Sequence, residues 1–405
     1  MIGLMTTGAG AAATTPPRVS RRAGVPGRRY THFGALDLEL GGQLPEVTVG
    51  YETYGTLNRA GDNAVLVLHA LTGDAHAVGE ADAGHVTPGW WDAVVGPGRA
   101  IDTNRWFVVS SNVLGGCQGT TGPSSLAPDG RAYGSRFPRV TIRDQVRVEA
   151  MLADYLGVER FALVAGGSMG GMRALEWCLL YPDRVEAAWV SASSAYATAD
   201  QIGLQTAQIQ IIANDPDWHG GDYAEHGAVP LAGMGLARRV AHLSYRTEQE
   251  LAVRFGRSAQ EGEQPLGAAT VGQAYGVGVG HRYAVQSYLD HHGDKIGGRF
   301  DPGTYVTLTD AMNTHDVGRG RGGVEAALAS ISVPMVVSGI DSDRLYPLYL
   351  QQQIADLVPS SGPLRVIESP YGHDGFLLES DAIGEQLGEA LQLVVGHRPT
   401  DAHCA

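Results

Sequence analysis

A chain of 405 residues, 43% hydrophobic and 18% charged, is composed like an ordinary globular protein and is long enough to bury a large core. Its 29 Lys and Arg against 43 Asp and Glu give a formal charge of −14, which argues against nucleic-acid or anionic-membrane partners. No apolar run approaches the roughly 20 residues of a membrane span, and Cys117, Cys178 and Cys404 have no spacing for a disulfide framework or a zinc site, so a cytoplasmic setting is expected.

Residues 1–29 are rich in Ala, Gly, Thr and Pro. Their arginines follow the apolar residues, the reverse of a secretory signal, and a mobile tail is expected there. Leu36 to Leu40 alternates, Gly41-Gly42 turns, and Val47 to Tyr54 alternates again, which predicts an antiparallel pair at a sheet edge. Ala64 to Leu68 and Trp106 to Ser110 are continuous apolar runs, the pattern of strands covered on both faces. Val140 to Leu156 repeats its apolar residues at helical spacing. A further strand, Phe161 to Ala165, runs into Gly166-Gly167-Ser168-Met169-Gly170 and a helix over Met172 to Leu180. Ala187 to Ser191, Val333 to Gly339 and Leu364 to Ile367 complete the strands. This alternation predicts a mostly parallel sheet with helices on both faces, an α/β architecture. Between residues 197 and 321 only helical patterns occur (Ile202 to Ala213, Gly233 to Leu243, Arg282 to Asp290), which predicts a helical lid inserted into a core of residues 30–196 and 322–395. The Gly318 to Gly323 run reads as the hinge of its return, and residues 396–405 as a frayed C-terminus.

The turn around Ser168 has the G-x-S-x-G pattern that lifts a serine to the carboxyl end of a central strand, with a helix start behind it for an anionic intermediate. A serine hydroxyl needs a base, and the base an orienting acid. Asp341 and Asp343 follow one late strand and His373 follows the last, giving the order Ser, Asp, His. Oxyanion donors are expected from the N–H groups of Met169, next to the serine, and Leu71, in the loop after the Ala64 to Leu68 strand. His281, His291, His292 and His315 lack partners at ligand spacing, and no metal site is read from them.

The runs His69-Ala70-Leu71-Thr72-Gly73-Asp74-Ala75-His76, Asn112-Val113-Leu114-Gly115-Gly116-Cys117, Thr121 to Ser125, Gly166 to Met172, Ser342-Asp343-Arg344-Leu345-Tyr346-Pro347 and Gly372-His373-Asp374-Gly375-Phe376-Leu377 together resemble the homoserine O-acetyltransferase family, from about Tyr30 to about Val395. The resemblance implies an α/β-hydrolase fold and transfer of the acetyl group of acetyl-CoA to L-homoserine in methionine biosynthesis. The route would be ping-pong through acyl-Ser168, with acetyl-CoA as co-substrate, no further cofactor, and a homodimer as the assembly. It selects Asp343 as the acid and assigns substrate binding to Arg238, with Arg239 adjacent, and to Asp374. Succinyl transfer to the same acceptor, or ester hydrolysis on the same fold, are the alternatives.

Overall fold

The computed structural model describes residues 27–82, 84–271 and 280–395. Along the chain run strands β1 (Arg29–Phe33), β2 (Leu36–Asp37), β3 (Gln43–Leu44), β4 (Val47–Tyr54), β5 (Ala64–Leu68), β6 (Val95–Gly96), β7 (Ile101–Asp102), β8 (Phe107–Ser111), β9 (Phe161–Gly167), β10 (Ala188–Ser191), β11 (Met335–Ile340) and β12 (Arg365–Ile367). Eight of these form the main sheet in the order β1-β4-β8-β5-β9-β10-β11-β12. The sheet is parallel from β8 to β12, with β4 and β1 added antiparallel at one edge.

Alternation of side chains decides what each face buries. Leu66, Val164, Val190 and Val337 point into one apolar layer with Val146, Leu152 and Trp177. Their neighbours Val65, Leu163, Trp189 and Val336 point into the other, with Trp91 and Leu387. Helix α1 (Ile142–Leu156) is started by Thr141 and Asp144 in a reciprocal cap and stopped by Gly157 in the left-handed conformation, φ 74°. Helix α2 (Met169–Leu180) starts at the serine turn.

Two expectations fail at the amino end. Val47 to Tyr54 does not pair with Leu36 to Leu40. Its antiparallel partners are β1 and β8, while Leu36–Asp37 forms a two-residue ribbon with Gln43–Leu44. Leu36 and Leu38 are buried in the core and not on the main sheet's ladder, and positive φ at both Gly41 and Gly42 makes the turn between β2 and β3. The boundary at residue 29 also moves. Most of the expected tail lies outside the described residues, but Arg29 opens β1, and buried Arg28 places Nε 3.2 Å from Glu52 Oε1 and Nη2 3.4 Å from Asp74. Glu52 also accepts from the Tyr54 hydroxyl at 2.9 Å and lies 3.0 Å from His76 Nδ1. Glu52, His76 and His85 bring their donor atoms within 4.8 Å of one another, and the guanidinium supplies the cation they surround.

Between β10 and β11 the described residues carry helices α3 (Ala199–Ala213) and α4 (Leu231–Tyr245), then Ala284–Gly297 and Pro302–Asn313 among others, and no strand of the main sheet. A third apolar layer, including Leu71, Met169, Met234, Tyr305 and Met312, joins these helices to the carboxyl end of the sheet. The Gly318 to Gly323 run is pinned where the chain returns, with Arg319 on Glu39 at 2.9 Å and Arg321 on Glu176 at 2.8 Å. No helix among the described residues is long and apolar enough to cross a membrane.

Removing Arg28 leaves Glu52 buried against two histidines without its cation. Arg28→Met should lower the unfolding free energy by about 3 kcal/mol, the scale for breaking one side of a buried pair. Urea unfolding measures this, and a loss below about 1 kcal/mol would mean that Glu52 is satisfied without the arginine.

Candidate active site

Strand β9 is buried throughout and ends at Gly167, so the chain must turn abruptly to start α2. Ser168 takes φ 57° and ψ −127°, a conformation that costs a non-glycine residue on the order of 1–3 kcal/mol. The turn is held by Ser168 N–H donating to Ser191 O at 3.0 Å and by Ser193 Oγ donating to Ser168 O at 2.8 Å. The flanking glycines are required for close approach. A Cβ at Gly166 would collide with the Gly170 backbone, and one at Gly170 with the Leu68 carbonyl.

The three residues expected to act together meet here. His373 Nε2 lies 2.9 Å from Ser168 Oγ, and His373 Nδ1 lies 2.6 Å from Asp343 Oδ2. Asp343 Oδ1 accepts from the N–H groups of Leu345 (2.8 Å) and Tyr346 (2.9 Å), so the carboxylate is held from both ends. Asp341 sits elsewhere, accepting from Ser369 N–H at 2.9 Å and fixing the loop that leads to the histidine. The imidazole stacks on Tyr346 at 5.0 Å and meets Phe376 at 5.2 Å.

Leu71 and Ser168 line one cavity, and Met169 is buried at the head of α2. The N–H groups of Leu71 and Met169 have no acceptor among the described residues. His69 is not a reacting group. Its Nε2 accepts from Val113 N–H at 3.1 Å and its Nδ1 donates to Ala70 O at 2.8 Å, which fixes the neutral ring, and burial with Arg173 nearby lowers its pKa to about 3. Buried Asn112 holds the same loop, its Oδ1 accepting from Ala75 N–H at 2.6 Å.

Ser168 and His373 open onto a cavity of about 390 Å³ that is also lined by Arg238, Tyr245, Lys295, Arg299 and Asp374. Arg238 places its guanidinium over the Tyr245 ring at 5.4 Å, and its buried Nη1 has no partner among the described residues. Arg239 does not line the cavity and pairs with Asp290 at 3.1 Å. Asp374 does line it, but with a cation already beside it, since Arg246 Nη1 lies 3.2 Å from its Oδ2. Burial raises the Asp374 pKa against the opposing effects of His373, Arg246 and Arg238. Of the four histidines set aside above, His291 meets His292 edge-on at 5.5 Å, and the others lie apart. His315 contacts Ser194 O, His281 contacts Gln264 O, and His292 stacks on His242. Of the cysteines, Cys178 is buried and Cys117 half-buried, each thiol pushed up to about 12 by burial, and Cys404 lies outside the described residues.

Residues 63–380 match the family model of the alpha/beta hydrolase fold. The chain is 57% identical over 365 residues to homoserine O-acetyltransferase of Nocardia farcinica, covering 90% of this chain and 92% of that one. The chain belongs to the homoserine O-acetyltransferase family. Among solved structures it is similar to homoserine O-acetyltransferase from Bacillus anthracis, with TM-score 0.80 at 26% identity over 93% of this chain and 99% of the other. It is similar to esterase E22 to the same degree, with TM-score 0.80 at 28% identity over 90% and 99%.

Within this acetyltransferase framework, Arg246, Lys295 and Arg299 escape a reading by motif. Arg238, His242 and Tyr245 recur at helical spacing along α4, but Arg246 follows the helix end in extended conformation, so periodicity does not place it. Lys295 and Arg299 carry no local signal, since their place depends on how Ala284–Gly297 packs on α4.

Fully buried His69 and His315 have pKa values lowered from 6.5 to about 3 and about 4 by burial. The unfolded chain therefore binds more protons than the folded one over this range. The stability they contribute is complete above about pH 6.5 and is lost as pH falls toward 4, at about 1.4 kcal/mol per pH unit for each group. Urea unfolding across that range should give a slope for His315→Gln smaller by about one proton than for the parent, and equal slopes would contradict the neutral buried ring.

Proposed function

We propose that this chain transfers the acetyl group of acetyl-CoA to the hydroxyl of L-homoserine through an acyl-Ser168 intermediate. The observation that carries the reading is the unpartnered, buried Nη1 of Arg238 in the cavity that also holds the Ser168 and His373 side chains. A guanidinium with an unpaired nitrogen beside Ser168 suits a carboxylate, which it can take in a charge-assisted pair. Acetyl transfer to homoserine is the activity named for relatives that match nine-tenths of the chain. Asp374, at the same cavity, takes the ammonium group.

His373 Nε2 receives the Ser168 proton as Oγ attacks the thioester carbonyl, and Asp343 stabilises the resulting imidazolium. The N–H groups of Leu71 and Met169 hold the oxyanion. Collapse expels the coenzyme A thiolate, which takes the proton from His373. The homoserine hydroxyl enters at the same place, gives its proton to His373 and attacks the ester carbon, and Ser168 Oγ leaves with that proton. Atoms balance with acetyl-CoA as the only co-substrate. Lys295 and Arg299 line the cavity and suit its phosphates. The segment of residues 197–321 acts as the lid. Exposed Leu231, Leu236 and Leu243 along α4 suit a homodimer, and both substrates place the reaction in the cytoplasm. Transfer to water is the second reading, favoured by the likeness to esterase E22.

With acetyl-CoA in excess, sustained thiol release should require homoserine, and sustained release without it would establish the hydrolase instead. Ser168→Ala should reduce transfer by roughly 10⁴ to 10⁶-fold. Asp343→Asn should lose about 10⁴-fold in turnover through the wrong imidazole tautomer, with Asp341→Asn mild; the reverse order would reassign the acid. Arg238→Lys should leave the thiol burst intact while raising the homoserine requirement by tenfold or more, because lysine loses the bidentate fork. A lost burst would put Arg238 on the coenzyme A side.

A further inference from the structure

A second, much smaller cavity of about 20 Å³ lies on another side of Ser168, between the sheet and the insertion. Besides Ser168, Leu71 and Tyr245, which it shares with the large cavity, it is lined by Leu204, Gln205 and Gln208 of α3, by Ser244 of α4, and by Met312, Leu345 and Tyr346. His373 lines the large cavity and not this one. That difference orients the acyl group. The carbon attached to Ser168 Oγ bears an oxyanion, a leaving or attacking group, and the acyl chain. The oxyanion must meet the Leu71 and Met169 N–H groups, and the group that exchanges a proton with His373 must be on the His373 side. The chain is left with the small cavity.

We infer that this cavity receives the acyl chain of the donor and restricts it to acetyl, with Leu204 and Met312 as the residues that set the length. The inference rests on the acyl-Ser168 reading proposed above. A volume of about 20 Å³ holds one group the size of a water or a methyl. Two walls cannot retreat independently of the site. Tyr346 is stacked on His373, and the N–H groups of Leu345 and Tyr346 bind Asp343. Leu204 and Met312, apolar walls contributed by helices of the insertion, touch no member of the Ser168, His373 and Asp343 relay through a hydrogen bond, so they are where length can be tuned. None of the lining residues carries a positive charge. A succinyl chain exceeds this volume, and its carboxylate would be desolvated there with only the neutral donors of Gln205, Gln208 and Ser244 and no cation to pair it.

Acetyl-, propionyl-, butyryl- and succinyl-CoA, each with homoserine, provide the test. The parent should prefer acetyl over propionyl by tenfold or more in kcat/KM, the range for one methylene in a fitted pocket, and should not use succinyl-CoA. Met312→Ala should raise the propionyl-to-acetyl ratio by tenfold or more with the homoserine KM unchanged, and Leu204→Ala, at a half-buried position, should do the same if the first variant does not fold. A parent that uses propionyl- or succinyl-CoA as well as acetyl-CoA overturns the inference. So does an unchanged ratio in a folded variant whose intact mass shows the acetyl adduct. Lack of any adduct in the parent would remove the acyl-enzyme itself, a separate failure visible before any donor is compared.

Discussion

The site depends on how closely three backbone segments cross at Ser168. Gly166 ends the strand against Gly170, and Gly170 lies against the Leu68 carbonyl at the end of β5, so neither position admits a side chain. Leu68 is followed directly by His69, Ala70 and Leu71. One main-chain contact thus fixes Ser168 and the Leu71 N–H, the proposed nucleophile and second oxyanion donor, relative to each other, and no side-chain rotamer enters into it. The strained φ of Ser168 is offset by two hydrogen bonds from β10 and the residues just after it, which makes the neighbouring strand part of the turn.

Behind the turn, buried charge fixes direction more than it adds stability. Arg173, fully buried one turn into α2, binds Glu149 of α1 at 2.6 Å and also donates to the His69 carbonyl. Trp177 Nε1 donates to the other oxygen of Glu149 at 2.7 Å. Burying such a pair gains little net energy once desolvation is counted, but losing one partner is expensive. The arrangement therefore penalises any shift of α1, α2 or the Leu71 loop against the others. Arg143, Glu176 and Arg321 repeat the device where the insertion rejoins the sheet.

Much of this was legible in the sequence, for a physical reason. The strands β5, β8 and β9 are buried on both faces, so their apolar runs are continuous and unambiguous, and the G-x-S-x-G turn marks where one of them ends. Helices α3 and α4 were visible within a few residues of their ends. What the sequence hid were pairings across long separations. Arg28 was indistinguishable from the other arginines of a polar amino-terminal stretch until Glu52 was seen to need a cation. The partner of Val47 to Tyr54 was hidden because Leu36 to Leu40 alternates as well as β1 does, and packing into the core decides between them. Arg238 and Arg239 are equal in sequence and differ only in which side of α4 faces the cavity, and the partnership of Arg246 with Asp374 spans 128 residues.

That partnership bears on why an acceptor amino acid could compete with water at an acyl-serine. The end of α4 is stitched to the histidine loop at several points. Arg246 pairs with Asp374, Thr247 Oγ1 donates to Pro370 O at 2.7 Å, and Gly372 packs against the Tyr245 carbonyl. The insertion is thereby joined to the loop that carries His373. Arg238 lies two turns back along α4, so its distance from the Ser168 and His373 side chains is set by a rigid helix. Water gains nothing from such a fixed geometry, whereas a ligand held by both ends gains in effective concentration at the reacting carbon. The same stitching places a cost on Asp374. In the proposed reaction its carboxylate would serve a substrate cation without releasing Arg246, and a carboxylate has lone pairs enough for both. In the proposed reaction, discrimination between transfer and hydrolysis therefore rests on the seam between α4 and the histidine loop as much as on the reacting groups.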